Sequence, residues 1–344
     1  MVRIREHWRP SRIDMATKID FQLIPLERFS AQPFDFSQLP FSIVRDVEVA
    51  DVSSLLPPSM FEYLRFEVGQ NRMHVFDGTT KYALVHRYEE DPRWPGNAEA
   101  QTAAKKKAEI LNEVFACSRI VRPTRRLGSV SGFLRDDGTV EQRQATFPDS
   151  ALDVPEALKL FAFRNKDLEE LRNLIGTFLK AIHGEYWPLR MAVQYYYMGY
   201  EVNDWKGRYL YWGSSAIHAL YSSSNEKIVR RIKWFLGDNT LIYPPGEHPE
   251  AEFLGADPTT IGEIVEDVNV VRNCIAHGER IPDKYFKQDA GRNTLNGKVN
   301  YITVLDDALA FIVRSTLRRI VAENLLGDFA SRVSVSQFWK TNGL

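Results

Sequence analysis

Apolar residues recur at helical spacing through the second half of the chain and alternate in strand fashion through parts of the first. Leu168, Leu171, Ile175, Phe178 and Ile182 share one stripe, which predicts a helix opened by Asn165 or Asp167 and stopped at Gly184. Pro188 suits the first turn of the next helix, which runs through Met191 to Met198. Asn203 or Asp204 opens a third, turning Tyr209, Trp212, Ala216 and Leu220 inward, and Asn225 caps a shorter basic one ending at Leu236. A polar, Pro/Gly-containing loop covers 237–258. The helical period resumes near Thr260, with Ile264, Val268, Val271 and Ile275 on the buried face, and Gly278 ends it. Beyond a loop at 279–300, Leu309, Ile312, Val313, Leu317 and Ile320 mark a last long helix from Leu305 to Leu326. Such a succession is that of an antiparallel helical bundle.

Residues 16–150 have a different texture, with short apolar segments among turn formers. Lys81 to Tyr88 alternates as a strand after the turn signal Asp77-Gly78. Val130 to Leu134, the turn Asp136-Asp137-Gly138, and Thr139 to Phe147 read as a hairpin. Between them, Asn97 to Cys117 is an Ala/Lys/Glu-rich helix with Ile110, Leu111, Val114 and Phe115 on one side. The fold class expected is therefore an α+β N-terminal domain over 1–155, followed by an all-α bundle over 156–344 with its core at 185–330.

A chain of 344 residues is long enough for two such domains. Its 44% hydrophobic content, with 20 Phe, 14 Tyr and 7 Trp, excludes global disorder. Lys and Arg number 44 against 45 Asp and Glu, so a nucleic-acid partner would need a local basic patch. Cys117 and Cys274 lack metal-ligand spacing and suit a reducing compartment. The polar N-terminus, with Arg3, Arg5, Arg9 and Arg12, is unlike a secretory signal, and no segment approaches a membrane span. A cytoplasmic protein without membrane contact is expected. Met15 is a candidate natural start, with residues 1–14 an unstructured leader.

The stretch richest in chemistry is Arg272-Asn273-Cys274-Ile275-Ala276-His277-Gly278. A guanidinium clamps a phosphate through paired hydrogen bonds and holds its developing charge. An imidazole titrates near neutrality and moves a proton. On a helix Asn273 and His277 share a face, while Arg272 lies about 140° from His277, so only a side chain as long as arginine's reaches around to the imidazole. Gly278 leaves that imidazole at a helix terminus, open to substrate.

The Arg-Asn-x-x-Ala-His-Gly string, set late in an all-helical segment and followed by a long arginine-bearing helix, resembles the HEPN superfamily, especially its ApeA-like branch. Arg208 to Tyr221 and Glu226 to Leu236 are similar to the amphipathic pair that precedes the motif in that family. His218 departs from it, standing where related sequences often carry glutamate. The resemblance covers about residues 185–330. It implies a homodimer of bundles facing across a shared cleft, and a metal-independent, cofactor-free RNA endonuclease in which the ribose 2′-hydroxyl attacks the neighbouring phosphate. His277 would then be the proton-transfer group, Arg272 would hold the phosphate and Asn273 would orient one of them. Phage defence or a toxin-like response is the setting it suggests. The alternative is a non-catalytic HEPN-like module that dimerises and binds RNA, a nucleotide or a partner. Arginine and histidine at a helix end also serve simply to cap carbonyls and pair with the dipole.

Lys105, Lys106, Lys107, Arg119, Arg122, Arg125 and Arg126 outnumber Glu109 and Glu113 between 105 and 126. Of these, Lys105, Lys106, Arg122, Arg125 and Arg126 are the candidate RNA-backbone contacts, weighed against an ordinary solvated helix face. Arg230, Arg231 and Lys233 carry the same ambiguity. Tyr195, Tyr196, Tyr197 and Trp205 have the chemistry to stack on bases but are read as core, and His183 and His218 as packing residues. Gly291 to Gly297-Lys298 lacks the spacing and the hydroxyl of a phosphate loop, and no hydrolase elbow, metalloprotease helix or dinucleotide fingerprint is present.

Overall fold

The computed structural model describes residues 17–26, 33–53, 55, 82–89, 97–123, 128–135, 138, 140–146, 162–202, 204–221, 225–242, 259–286, 292–294 and 297–344. The turns at Asp77-Gly78 and Asp136-Asp137, Asn203, and the region around Met15 lie outside them. Two compact units emerge: residues 1–23, 39–112 and 126–148, and residues 24–38, 113–125 and 149–344.

The first unit is built on a six-stranded antiparallel sheet in the order β2-β3-β4-β1-β5-β6. Its strands are β1 (Thr17–Leu23), β2 (Phe41–Val44), β3 (Val47–Asp51), β4 (Tyr82–Glu89), β5 (Ser129–Leu134) and β6 (Val140–Thr146). Ile19, Phe21 and Leu23 of β1 are buried on one face, while Asp20 and Gln22 are buried on the other. There Tyr88 donates to Asp20 Oδ2 at 2.8 Å, and Gln22 Nε2 donates to Asn112 Oδ1 at 2.6 Å. Asn112 belongs to α1 (Ala98–Val121), the Ala/Lys/Glu-rich helix expected from the sequence.

The second unit is helical. Its elements are α2 (Asn165–His183), α3 (Trp187–Tyr200), α4 (Trp205–Arg208), a π-helical segment (Tyr209–Ile217), α5 (His218–Tyr221), α6 (Asn225–Leu236), α7 (Ile261–His277), α8 (Tyr301–Ala322) and α9 (Arg332–Thr341). Each predicted stripe lands inward: Leu168, Leu171, Ile175 and Phe178 of α2, and Tyr209, Trp212, Ala216 and Leu220, are all buried. In α7, Val268 and Val271 are buried, whereas Ile275 is half-buried. Helix α8 is enclosed almost all round, and two of its buried charges meet protein partners. Arg208 donates to Asp306 at 2.7 Å, and Arg314 reaches the Val121 carbonyl at 3.4 Å. Burial pushes the Asp306 carboxyl up to about 6 against the pull of Arg208.

Four features depart from the sequence reading. The last long helix begins at Tyr301 rather than Leu305 and stops at Ala322, and a further helix, α9, follows it. The 279–300 loop contains a 3-10 turn (Asp283–Phe286) and a hairpin of β7 (Arg292–Thr294) and β8 (Gly297–Val299). The helix beginning at Trp205 widens to π geometry for nine residues before returning to α at His218. Strands β1 to β3 went unread. Among the described residues, no helix is long and apolar enough to cross a membrane.

Candidate functional site

Helix α7 is fixed at both ends by its own sequence. Thr260 caps it, accepting the Glu263 N–H at 3.4 Å, while the Glu263 carboxylate accepts the Thr260 N–H at 2.8 Å. At the far end Gly278 takes a left-handed conformation, φ 68°. Glu279 N–H donates to the Cys274 carbonyl at 2.7 Å and Gly278 N–H to Ile275 at 3.3 Å, closing a Schellman turn. The helix packs against the π segment, α6 and α8. Asp267, in its middle, accepts from Tyr285 at 2.7 Å and Tyr301 at 2.8 Å, tying the 3-10 turn and the start of α8 to it. Burial works to raise the Asp267 carboxyl, but those hydroxyls and Lys284 outweigh it and hold the group below its usual value.

Arg272 is buried, at 8% exposure. Its Nε donates to the Gly213 carbonyl at 2.9 Å, and its Nη1 donates to Asn273 Oδ1 at 3.0 Å and Asn269 Oδ1 at 3.4 Å. Gly213 admits this approach because it has no side chain: a Cβ there would sit 3.1 Å from Arg272 Cγ. The guanidinium therefore runs back toward the helix N-terminus and onto the π segment. The expectation that it reaches around to His277 is not met. The reason is the lean of helical side chains, which tilt toward the N-terminal turn and carry Arg272 to Asn269 instead of forward. Desolvation draws the Arg272 pKa down from its usual value.

Of the three motif residues, the structure brings Arg272 and Asn273 together and leaves His277 on the exposed last turn, with no hydrogen bond to another described residue. Cys274 is buried between them in sequence. A residue the sequence reading assigned to packing feels the charge of Arg272. His218 is exposed, and its pKa is lowered first by partial desolvation and then by the cations Arg272 and Arg332. Its exposure was legible: it lies midway between Ala216 and Leu220, about 200° from each on a helical wheel and so off their stripe. His183 is exposed as well, with Nε2 2.8 Å from Glu113 Oε2.

The basic stretch from 105 to 126 does not hold together as a surface. Lys105 and Lys106 are exposed. Arg122 is 3% exposed, donates to the Ala162 carbonyl at 3.2 Å and lies 3.7 Å from Asp167. Its assignment to an RNA-backbone patch is corrected on that ground: a guanidinium enclosed among protein acceptors has no face left for a phosphate. Arg119 is also buried, within 5.0 Å of the Phe115, Tyr197 and Tyr200 rings and 2.9 Å from Glu201. Arg125 and Arg126 lie outside the described residues. Arg231 is buried against the Tyr221 and Leu344 carbonyls, and Lys233 pairs with Glu266 at 2.9 Å. Tyr196 is buried within 3.1 Å of the Tyr200 hydroxyl, and Trp205 meets Phe286 edge-on. Tyr196 is core, whereas Trp205 is half-buried and packs on the exposed Phe286.

Compared with family models, curated proteins and solved structures, the chain matches none. The chemistry at hand is a buried cation ordered by two asparagines and a backbone carbonyl, with exposed imidazoles at 277 and 218. Such a set can attract a phosphate and move protons.

Proposed function

We propose that this chain is a HEPN-type, metal-independent RNA endonuclease acting as a homodimer, in phage defence or a toxin-like response. The observation that carries this reading is the ordered pair at the helix end. Asn273 holds the Arg272 guanidinium while His277, one turn on, stands free in solvent on a glycine-capped terminus. In the reaction, the ribose 2′-hydroxyl attacks the adjacent phosphorus and the P–O5′ bond breaks. His277 transfers the proton, and Arg272 supplies positive charge to the phosphate in the transition state. Each copy presents one such edge, so two copies about a two-fold axis would complete the cleft.

The burial of Arg272 favours a second reading, in which the motif holds the bundle together and the protein is a non-catalytic dimerisation or RNA- or nucleotide-binding module.

Single-stranded RNA incubated with the protein in EDTA separates the two. The enzyme cuts RNA, spares DNA for want of a 2′-hydroxyl, and loses on the order of 10²–10⁴ in rate in His277→Ala. Cutting that needs added metal, or that survives in His277→Ala, refutes the mechanism, and an RNA left intact favours the module. Light scattering at micromolar concentration checks the dimer.

A further inference from the structure

Helix α6 turns a basic and aromatic face outward. Ile228, Arg231, Ile232 and Phe235 are buried, whereas Lys227, Arg230 and Trp234 are exposed. These three stand at i, i+3 and i+7 on one side of the helix, and each is about 5–6 Å from the next at Cβ. Trp234 is 47% exposed, yet its indole is held in place. The rings of Phe338 and Trp339 on α9 meet it edge-on, with centroids at 6.2 and 6.0 Å. Arg230 is tied to the same end of α9, its Nη2 donating to the Gly343 carbonyl at 3.3 Å, and a guanidinium has further donors to offer a ligand. Helix α9 itself carries the exposed cations Arg332 and Lys340 and no acidic residue. In a chain of net charge -1 this is a local basic surface.

The face also has a direction. Gly262 N–H donates to the Asp238 carbonyl at 2.8 Å and Lys233 pairs with Glu266 at 2.9 Å, so α7 runs antiparallel to α6. The order Trp234, Arg230, Lys227 therefore leads toward the His277 end of α7, about 16 Å of helix beyond Glu266. Asp238, exposed just past α6, repels phosphate at the opposite end. Across on α7, Glu263 is engaged by the Thr260 N–H and Glu266 by Lys233.

We propose that this face of α6 binds a single-stranded nucleic acid, with one base stacked on Trp234 and the adjoining phosphates at Arg230 and Lys227. Stacking needs one ring and tolerates any base, and the cations answer a repeating backbone charge. A half-exposed indole beside the half-buried Phe338 is too little apolar surface for a stable protein partner, which covers about 1,200–2,000 Å² in total. The site holds the strand, and the motif lies further along it. The inference rests on the ribonuclease reading only in naming RNA as that strand.

The test is fluorescence anisotropy of two labelled single strands, each about ten nucleotides long, titrated with the full-length protein. One is a 2′-O-methyl oligonucleotide that cannot be cleaved, the other DNA of the same sequence. Both should bind, because stacking and phosphate contacts ignore the 2′ position. Trp234→Ala should weaken binding about 10–100-fold, and Trp234→Phe should recover most of the loss. Lys227→Ala, at an exposed position where folding is not at issue, should weaken binding and lower the salt slope by about 1. Trp187→Ala, at a second exposed indole, should change nothing, and His277→Ala should keep wild-type affinity. Unchanged affinity in Trp234→Ala and Lys227→Ala overturns the proposal. So does displacement of the strand by polyglutamate as readily as by unlabelled oligonucleotide, which would assign the face to an acidic protein. Binding that depends on Trp234 in a protein that never cuts RNA keeps this site and counts against the ribonuclease. RNA cut by Trp234→Ala at the wild-type KM keeps the ribonuclease and removes the site.

Discussion

Arg272 Nε donates to the carbonyl of Gly213 at 2.9 Å, and no Cβ intervenes between the two backbones. This contact joins α7 to the π segment. Gly213→Val would drive branched methyls into the arginine stem, since even a single Cβ would stand 3.1 Å from Cγ. Overpacking of this kind costs about 1–3 kcal/mol. Urea titration should show that loss, and a variant as stable as wild type would mean that the stem moves aside freely.

Arg272 and His277 should separate sharply when each is replaced by alanine. Removing the guanidinium strands the Gly213 carbonyl, for about 1–3 kcal/mol, so lost activity in Arg272→Ala would mix chemistry with stability. His277 is exposed, and His277→Ala should stay within about 0.5 kcal/mol of wild type. Thermal melts of the two variants measure this directly, and equal destabilisation would contradict it.

Gly199→Ala reverses the usual sign of a helix substitution. Propensity alone favours alanine by about 1 kcal/mol. Here the new Cβ would lie 2.0 Å from Trp212 Nε1, which is buried and donates to the Tyr196 carbonyl at 2.9 Å. The indole must be displaced, with a net loss on the order of 3 kcal/mol. A neutral or stabilised variant would show that the indole has somewhere else to go.

Asp306 predicts a pH signature. Burial raises its carboxyl to about 6, so the folded chain holds this proton more tightly than the unfolded chain does. The group's contribution to stability is full below the ordinary 3.8 and is lost as pH rises through about 6. Asp306→Asn cannot titrate and should therefore gain on wild type as pH rises across that window. Denaturant curves for both proteins at intervals from pH 4 to 7 would expose a constant gap, the outcome that contradicts the shift.

The motif helix was legible because every local signal agreed. Thr260 and Glu263 mark its start, Ile264, Val268 and Val271 keep the period, and Gly278 marks its end. The direction of Arg272 was not, because a wheel gives the angle around the axis and ignores the lean along it. Strand β1 carries a strand's alternation, Ile19, Phe21 and Leu23 against Asp20 and Gln22; what that pattern does not reveal is that the polar pair is buried too, through tertiary partners. The widening at Tyr209 stayed hidden because Tyr209, Trp212, Ala216 and Leu220 satisfy an α stripe equally well.

A π turn accommodates one more residue than an α turn, so the span from Tyr209 to Ile217 works as an expansion joint in the chain. Deleting one residue there would let the helix rewind, swinging His218 through about 100° while the core side chains upstream stayed in place. Relatives that lack that residue would present a different side chain at this turn. Matching them to this chain position by position would then pair the wrong residues from Gly213 to Tyr221, unless the gap were placed inside the widened turn.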